Sequence, residues 1–403
     1  MHTRFEALWV PVAGEAAVAE DAASAGETAG EAECRALAER IEAEVRRLEA
    51  VFNRHDPASP VAALNRCRSL ACADGKGVAA DSRSSGEAAG SGRVRAKVAD
   101  DDLWFLLEIG EQFRKATFGY FDLAALSYRE ALLQATSLGN GHPSAEEDFP
   151  AATGYHRAAE APFRLLHATH EIELRRGCIL DFGGIAKGYA LEKVRNILQE
   201  AGVENALLNF GGSSVLGMGH HPLGPCWEVA PEGPPPSAPS LNTAQNRDGT
   251  PKNNALSLNT PQFRDGTPEN TEPFPETTQN RNRTPETAEP FLETAQFRNR
   301  TPVFRLRDSA LSVSGRDREG RDHIVDPHTG RPASTSASTG HPAPQAAHPA
   351  TASAIRTQAS ARIAVTGRSA LVCEILSTAL YAAPKELQNE IIANFEGYTT
   401  LAP

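Results

Sequence analysis

The amino-acid sequence predicts a single α+β domain that carries low-complexity insertions. Helical and strand patterns follow one another along the chain without the regular alternation of a parallel α/β fold. The chain has 403 residues, a length that would suggest two or three domains. Three segments poor in large apolar residues interrupt it, and roughly 285 residues remain when they are set aside. We therefore predict one domain over 1–403.

The three low-complexity segments cover 72–93, 233–302 and 334–359. The second is an internal repeat, because sequences related to TAQNRDGTP recur with a period of 17 residues, beginning at Thr243, Thr260, Thr277 and Thr294. Each unit has too few large apolar residues to bury a face against its neighbour, which excludes a solenoid. All three segments are therefore expected to be disordered surface insertions. An alternative for the repeats is an arm that binds a partner.

Apolar periodicity predicts the helices of the remaining domain. Apolar residues recur every three or four positions in 31–52, 101–116 and 186–201, which is the spacing of one buried helix face. A short helix ending at Leu64-Asn65 is expected after a proline-containing loop, and a last helix at about 369–383. The apolar faces of the three longer helices are Leu37, Ile41, Val45, Leu48 and Phe52, then Leu103, Leu106, Leu107, Ile109 and Phe113, and then Tyr189, Leu191, Val194 and Leu198.

Short apolar runs predict the strands, at 178–182, 206–210, 227–229, 303–307 and 361–366. The third and fourth of these runs flank the repeats. The repeats would therefore lengthen an existing surface loop, where long insertions cost little free energy.

Charge and hydropathy exclude several classes of protein. The formal net charge is −11, and no long block of Lys and Arg is present, so a general nucleic-acid binder is not expected. No apolar stretch approaches the roughly 18 residues of a membrane span. The N-terminal residues lack the charged and apolar regions of a signal peptide, which predicts a cytoplasmic protein unless a preceding segment is missing. The six cysteines form no CxxC pair and are expected to be reduced thiols.

The segment LDFGGIAKGYALEKV at 180–194 resembles an anion-binding turn. A strand, two glycines and a lysine precede a helix, and a helix N-terminus reached through glycines attracts phosphate groups. The dinucleotide pattern GxGxxG and the phosphate-loop pattern GxxxxGK[ST] are both absent. An alternative reading is a plain tight turn with an exposed Lys187.

A second cluster of polar residues lies in 312–333, where Asp326-Pro327-His328-Thr329-Gly330 predicts a rigid turn. His323 is a candidate general base or phosphate donor, with a hydrogen-bonded structural histidine as the alternative.

Glu374, Ser377 and Thr378 lie at positions i, i+3 and i+4 of the predicted last helix. A carboxylate and two hydroxyls on one face are hard oxygen ligands suited to Mg²⁺. A solvated helix face is the alternative, although the apolar neighbours of these residues indicate a buried helix.

Two weaker motifs complete the set, TFGYFD at 117–122 and FNRHDPASPVAALNR at 52–66. In this order, together with the Asn-x-Gly-Gly of 209–212, the motifs resemble the ApbE family of FAD:protein FMN transferases. The resemblance covers nearly all of the domain outside the insertions, and the combination of motifs is specific although each motif alone is weak.

The resemblance implies an ApbE-like, T-fold-like core of mixed sheet and helices, and a set of site residues. Family members bind FAD and Mg²⁺, transfer FMN to a Thr or Ser hydroxyl of a target flavoprotein, and release AMP. By matching position, the metal would be held by the Gly184 carbonyl, Glu374 and Thr378, with Ser377 adjacent. His323 and Asp326 are candidates for the base that deprotonates the acceptor. The expected flavin-nucleotide contacts are His55, Gly119, Tyr120, Phe121, Asp122, Asp181, Lys187, His323 and Ile324.

Two positions depart from the family pattern. Glu374 stands where the family usually has Asp, and Ser213 follows Asn209-Phe210-Gly211-Gly212 where Asp is usual. Three other functions therefore remain open: an FAD-binding carrier or chaperone, an Mg²⁺-dependent FAD pyrophosphatase, and a degenerate member whose repeats bind a partner. The chain contains no Ser-Gly-Ala-Thr acceptor sequence, so the expected acceptor is another protein.

Overall fold

The computed structural model describes residues 4–11, 29–70, 93–137, 161–230, 254–258, 296–298, 301–316, 322–333 and 362–401. Within these ranges helices and antiparallel strands alternate irregularly, which confirms the α+β class. The predicted insertions at 72–93 and 334–359 lie outside the described residues except for Arg93, and most of 233–302 does as well.

Most helices share one large hydrophobic core with strand residues, and further strand residues form a second, smaller cluster. The helices are α1 (Ala29–Phe52), α2 (Pro60–Leu70), α3 (Asp101–Ala116), α4 (Ala125–Ser137), α5 (Ala186–Glu200), α6 (Ala370–Ala382) and α7 (Lys385–Ala393). The first strands are β1 (Phe5–Trp9), β2 (Arg93–Lys97), β3 (Phe163–Leu166), β4 (Glu171–Arg175), β5 (Ala206–Phe210), β6 (Ser214–Met218) and β7 (Trp227–Val229). The later strands are β8 (Asn254–Leu258), β9 (Gln296–Arg298), β10 (Thr301–Leu306), β11 (Ser309–Ser314), β12 (Ile363–Gly367) and β13 (Thr399–Leu401).

The main sheet has seven strands in the order β13-β12-β11-β6-β5-β1-β8. Each pair of neighbours in it is antiparallel. Two three-stranded sheets accompany it, β7-β10-β9 and β2-β4-β3. The pairing of β7 with β10 confirms that 227–229 and 303–307 meet around the repeats.

The predicted helix faces are buried as expected. Ile41, Val45, Leu48 and Phe52 of α1 join the α3 and α5 residues in one hydrophobic core, and Leu37 packs at its edge. Asp100 caps the N-terminus of α3 by accepting a hydrogen bond from the Leu103 N–H at 2.8 Å.

Helices α5 and α6 cross with their backbones in close contact. A Cβ atom placed on Gly188 would lie 2.4 Å from the carbonyl oxygen of Ala370, so this position accepts only glycine. Helix α6 packs in turn on β11 and β12 of the main sheet. This crossing brings the first turn of α5 beside the N-terminal half of α6.

Three predictions about local structure are wrong. The run 178–182 forms no strand, because its backbone bonds to side chains and to the carbonyls of Leu123 and Arg175 rather than to a neighbouring strand. The helix expected to end at Leu64-Asn65 continues to Leu70 as α2. The repeat segment is not wholly irregular, since it provides β8 at the edge of the main sheet as well as β9.

In the ranges that the structure describes, no helix is both long enough and apolar enough to cross a bilayer. The cysteines in these ranges are free thiols, Cys34, Cys67, Cys178, Cys226 and Cys373.

Candidate active site

The segment that leads into the Gly183-Gly184 turn is held by two polar side chains. The Asn65 amide donates to the Leu180 carbonyl at 2.9 Å and accepts from the Leu180 N–H at 2.8 Å. The Ser127 hydroxyl accepts from the Ile179 N–H at 2.7 Å. The backbone of 179–180 is therefore satisfied as it would be in a sheet, but by side chains.

Asp181, the next residue, bridges the turn to the loop after α1. Its carboxylate accepts from the Gly183 N–H at 3.3 Å and pairs with the Arg54 guanidinium at 3.2 Å. His55 is exposed beside this pair, and the Arg54 charge lowers the pKa of its imidazole. The structure thus places two predicted nucleotide contacts, His55 and Asp181, at the same turn.

Lys187 and Glu374 form an ion pair between the first turn of α5 and the N-terminal half of α6. The Lys187 ammonium contacts Oε1 of Glu374, and the Gly188 N–H donates to Oε2. Glu374 is only 2% exposed. Lys187 is therefore neither the exposed lysine of the plain-turn reading nor free of partners, and Glu374 does not lie on a solvated helix face.

Hydroxyl groups gather on the β11 side of this pair. Ser377 Oγ lies 3.0 Å from Ser312 Oγ and 2.9 Å from Ser314 Oγ, and Ser377 itself is fully buried. Thr378 Oγ1 donates to the Glu374 carbonyl at 3.0 Å. A Cβ atom on Gly184 would lie 3.2 Å from Thr378 Oγ1, so the glycine turn touches α6 here. The four predicted metal positions are close together.

The turn at 117–122 packs on the same glycine turn. A Cβ atom on Gly184 would lie 3.5 Å from Cε2 of Phe121, which is buried. Gly119 adopts a φ of 84°, and Phe118 before it adopts a φ of 54°. Phe118 is 42% exposed. A bulky residue held in the left-handed region with its ring in solvent contributes strain without core packing, which is typical of a binding surface.

Asp122 has a structural role in the same turn. Its carboxylate accepts from the Ala124 N–H at 2.8 Å and from the Tyr128 hydroxyl at 3.0 Å. Burial raises the pKa of the Asp122 carboxyl. The group faces the start of α4, so a nucleotide contact at this position stays a prediction.

The second polar cluster reaches the site through a histidine that we did not select from the sequence. His328 Nε2 lies 3.0 Å from the Phe118 carbonyl oxygen, and its ring centroid lies 4.2 Å from that of Tyr120. Asp326 accepts from the His328 N–H and the Thr329 hydroxyl, each at 2.9 Å, so both of its carboxylate oxygens stabilise their own turn. His323 is exposed, whereas Ile324 is buried.

Sequence reasoning missed several residues that shape the site. Arg54, Asn65, Phe118 and His328 all lay inside motifs that we had singled out. Their roles depend on contacts across the fold, such as the 115 residues that separate Asn65 from Leu180. The signal visible in the sequence is an aromatic residue, Phe118, directly before a glycine that permits a left-handed turn.

Comparison with known proteins identifies the family to which this sequence is similar. A model of the ApbE family matches residues 17–250, more than half of the chain. This range contains the turn at 117–122 and the segment 180–194, whereas Glu374 lies beyond it. No curated protein sequence matches significantly.

Three solved structures are similar to this chain. Flavinyl transferase ApbE from Pseudomonas stutzeri, apo form, is 17% identical over 91% of this chain and 85% of that one, with a TM-score of 0.49. The ApbE protein of Thermotoga maritima is 17% identical over 91% and 86%, with a TM-score of 0.48. Flavin transferase ApbE from Vibrio cholerae is 16% identical over 91% and 88%, with a TM-score of 0.49.

Proposed function

The chain belongs to the ApbE family, and on this premise we propose that it is an Mg²⁺-dependent flavin transferase. In this proposal it transfers FMN from FAD to a Thr or Ser hydroxyl of a target flavoprotein and releases AMP. The reaction breaks the pyrophosphate bond on the FMN phosphorus, forms a phosphoester to the hydroxyl oxygen, and leaves the electron pair on AMP.

The observation that carries this proposal is the meeting of the glycine turn, Lys187 and Glu374. Gly183 and Gly184 lead into α5, whose N-terminus provides positive potential for a pyrophosphate, and Lys187 lies in its first turn. Glu374 and the hydroxyl of Thr378 lie on the facing helix. An anion site thus adjoins a group of oxygen donors, as phosphoryl transfer from a dinucleotide requires.

The donor set fits Mg²⁺ in its chemistry. The residues present are one carboxylate, the hydroxyls of Ser377 and Thr378, and the backbone of Gly184, all hard oxygen ligands. Among the described residues no group of three or more His, Cys, Asp and Glu could hold a metal, so a site here would rely on hydroxyl and carbonyl oxygens beside Glu374. Bound Mg²⁺ supplies charge neutralisation at the pyrophosphate and stabilises the leaving phosphate.

The remaining roles fall to residues around the turn. Arg54 orients the carboxylate of Asp181, and the exposed ring of Phe118 offers a stacking surface for an aromatic ring of FAD. Of the two candidate bases, Asp326 uses both carboxylate oxygens within its own turn. We therefore favour the imidazole of His323 as the group that accepts the acceptor's hydroxyl proton.

Flavin transfer can be tested by incubating the protein with FAD, Mg²⁺ and an acceptor domain that carries a Thr flavinylation motif. Fluorescent flavin that remains on the denatured acceptor in a gel supports transfer. FMN and AMP without a labelled acceptor would instead identify a pyrophosphatase. FAD binding with neither product would identify a carrier.

Matched variants connect the result to the site. Glu374→Ala should abolish the Mg²⁺-dependent reaction. Glu200→Ala should leave it unchanged, because Glu200 forms an exposed ion pair with Arg40 at the far end of α5. Unchanged Mg²⁺ dependence in Glu374→Ala would refute the metal assignment.

A further inference from the structure

Both carboxylate oxygens of Glu374 already have a partner. Lys187 takes Oε1 and the Gly188 N–H takes Oε2. The side chain of Glu374 is 3% exposed and that of Lys187 16%, so water scarcely screens the pair. A divalent cation that binds here adds positive charge beside Lys187 where water scarcely screens it, so the cation would repel the Lys187 ammonium strongly.

We propose that Lys187 and a divalent cation compete for Glu374, so that cation binding releases the Lys187 ammonium toward the nucleotide site. The inference rests on the proposed function, because it takes Glu374 as a ligand of Mg²⁺. Lysine is suited to this exchange, since its ammonium is a point charge on a flexible four-carbon stem. Lys187 lies in the first turn of α5 and its Nζ is 3.4 Å from the Gly183 carbonyl.

The charges around the turn support the exchange. Lys187 is paired with Glu374 and Arg54 with Asp181, so these four groups sum to zero. A neutral turn attracts a pyrophosphate weakly. A divalent cation leaves all four groups ionised even when it displaces Lys187 from Glu374, so the sum becomes +2, which matches the two negative charges of a dinucleotide pyrophosphate. The cation would thus favour binding of the pyrophosphate both directly and through the released ammonium of Lys187.

The choice of glutamate over aspartate fits the same idea. The Glu374 side chain reaches across from α6 to both the Lys187 ammonium and the Gly188 N–H. An aspartate, one methylene shorter, could not extend as far toward α5.

Lys193 provides a matched internal control. It lies on the same helix, its side chain is 15% exposed, and it pairs with the buried Asp102 at 2.8 Å. Asp102 also binds Arg47 and the Tyr189 hydroxyl, and it belongs to the contact between α1, α3 and α5 rather than to the glycine turn. Any general effect of Mg²⁺ on lysine reactivity or on folding would affect both lysines.

Amine acetylation followed by peptide mass spectrometry measures the release. The full chain is labelled with and without Mg²⁺ at constant ionic strength. We expect Mg²⁺ to raise the labelling rate of Lys187 toward that of the exposed Lys115, and to leave Lys193 slow. Calorimetric Mg²⁺ binding with no change at Lys187 would overturn the inference.

Metal affinity gives a second, independent measurement. Lys187→Met removes the competitor, so Mg²⁺ should bind about tenfold more tightly than to the wild type, whereas Glu374→Gln should bind it weakly. Weaker binding by Lys187→Met would contradict competition. If the wild type transfers flavin with a chelator present and binds no Mg²⁺, the inference fails while flavin transfer stands. If Mg²⁺ exposes Lys187 but no flavin is transferred, the proposed function fails and the competition remains.

Discussion

Replacing Asn65 by alanine should destabilise the domain through the backbone of Leu180. Leu180 is fully buried, and the Asn65 amide is the hydrogen-bond partner of both its N–H and its carbonyl group. A buried backbone group that loses its partner costs about 1–3 kcal/mol, so two such groups cost about 2–6 kcal/mol. Asn65 is half-buried, and water that enters the truncated site should offset part of this. We therefore expect a loss of about 2–3 kcal/mol.

Chemical unfolding followed by tryptophan fluorescence measures this loss. Trp9, Trp104 and Trp227 are all buried, so unfolding should shift their emission. Ser127→Ala removes two hydrogen bonds to Ile179, a short one from its N–H and one of 3.4 Å to its carbonyl. This substitution should lower the free energy of unfolding by less, about 1–2 kcal/mol.

An exposed amide serves as the control. Asn394 donates to the Ala116 carbonyl at 3.1 Å in contact with solvent, so Asn394→Ala should change stability by no more than about 0.5 kcal/mol. If Asn65→Ala is no more destabilising than Asn394→Ala, the side chain does not substitute for a strand and the reasoning is refuted.

Three further predictions concern charge, strain and the repeats. Burial alone would raise the pKa of the Asp102 carboxyl, but hydrogen bonds from Lys193, Tyr189 and Arg47 lower this pKa overall below 3.8. The ionised Asp102 therefore stabilises the fold above about pH 4, and this contribution is lost as the pH falls through the folded-state pKa. Asp102→Asn should therefore unfold about 2–3 kcal/mol more easily at pH 7, with a difference that shrinks below about pH 4 in unfolding titrations. Phe118→Gly should leave the melting temperature unchanged or raise it, because the relief of left-handed backbone strain offsets the entropic cost of glycine. The same substitution should weaken FAD binding about tenfold in fluorescence titrations. Equal affinity for FAD would exclude stacking on Phe118. Replacing 259–295 by a short Gly/Ser linker should change stability by less than about 1 kcal/mol and keep FAD affinity, whereas a lost fold would show that the repeats pack on the domain.

Local patterns sufficed for some helices, but α4 and α7 were not predicted and α2 extends past its predicted end. The helix predicted at 101–116 has the same bounds as α3, because its apolar face, its Asp100 cap and the turn at Thr117 are all readable within 20 residues. The strand predicted at 178–182 failed for the opposite reason. An apolar run has the same composition whether its backbone pairs with a strand or with side chains, and Asn65 is remote in sequence.

Strand β8 shows how little distinguishes an edge strand from an irregular insertion. Its sequence NALSL contains no proline, but the next two repeats have Pro273 and Pro290 where it has Leu256. Proline lacks an N–H and is disfavoured in strands. Residues 254–258 can therefore complete a ladder with β1, whereas the composition of the whole segment predicted disorder.

The candidate site was predictable in its chemistry but not in its connections. The residue types indicated an anion site at 180–194 and, separately, oxygen donors in the last helix, and only the family resemblance joined the two; the structure places Gly184 beside Thr378. Two contacts depend on elements that are distant in sequence. Lys187 pairs with Glu374, and His328 rather than His323 contacts the turn at 117–122. The close crossing at Gly188 is invisible in sequence, because glycine there also fits a plain turn of a helix.

The glycine turn affects both the stability of the fold and the binding of ligands, and two kinds of substitution distinguish these two effects. Asn65 acts on the backbone before Asp181, so its loss should lower the free energy of unfolding and misplace the turn together. Lys187 acts through charge at the start of α5, and its replacement should alter cation affinity far more than the position of the turn. If FAD affinity follows stability across the Asn65 and Ser127 variants but follows Mg²⁺ affinity across the Lys187 variants, the rigid turn and the exchangeable cation contribute separately to the same site.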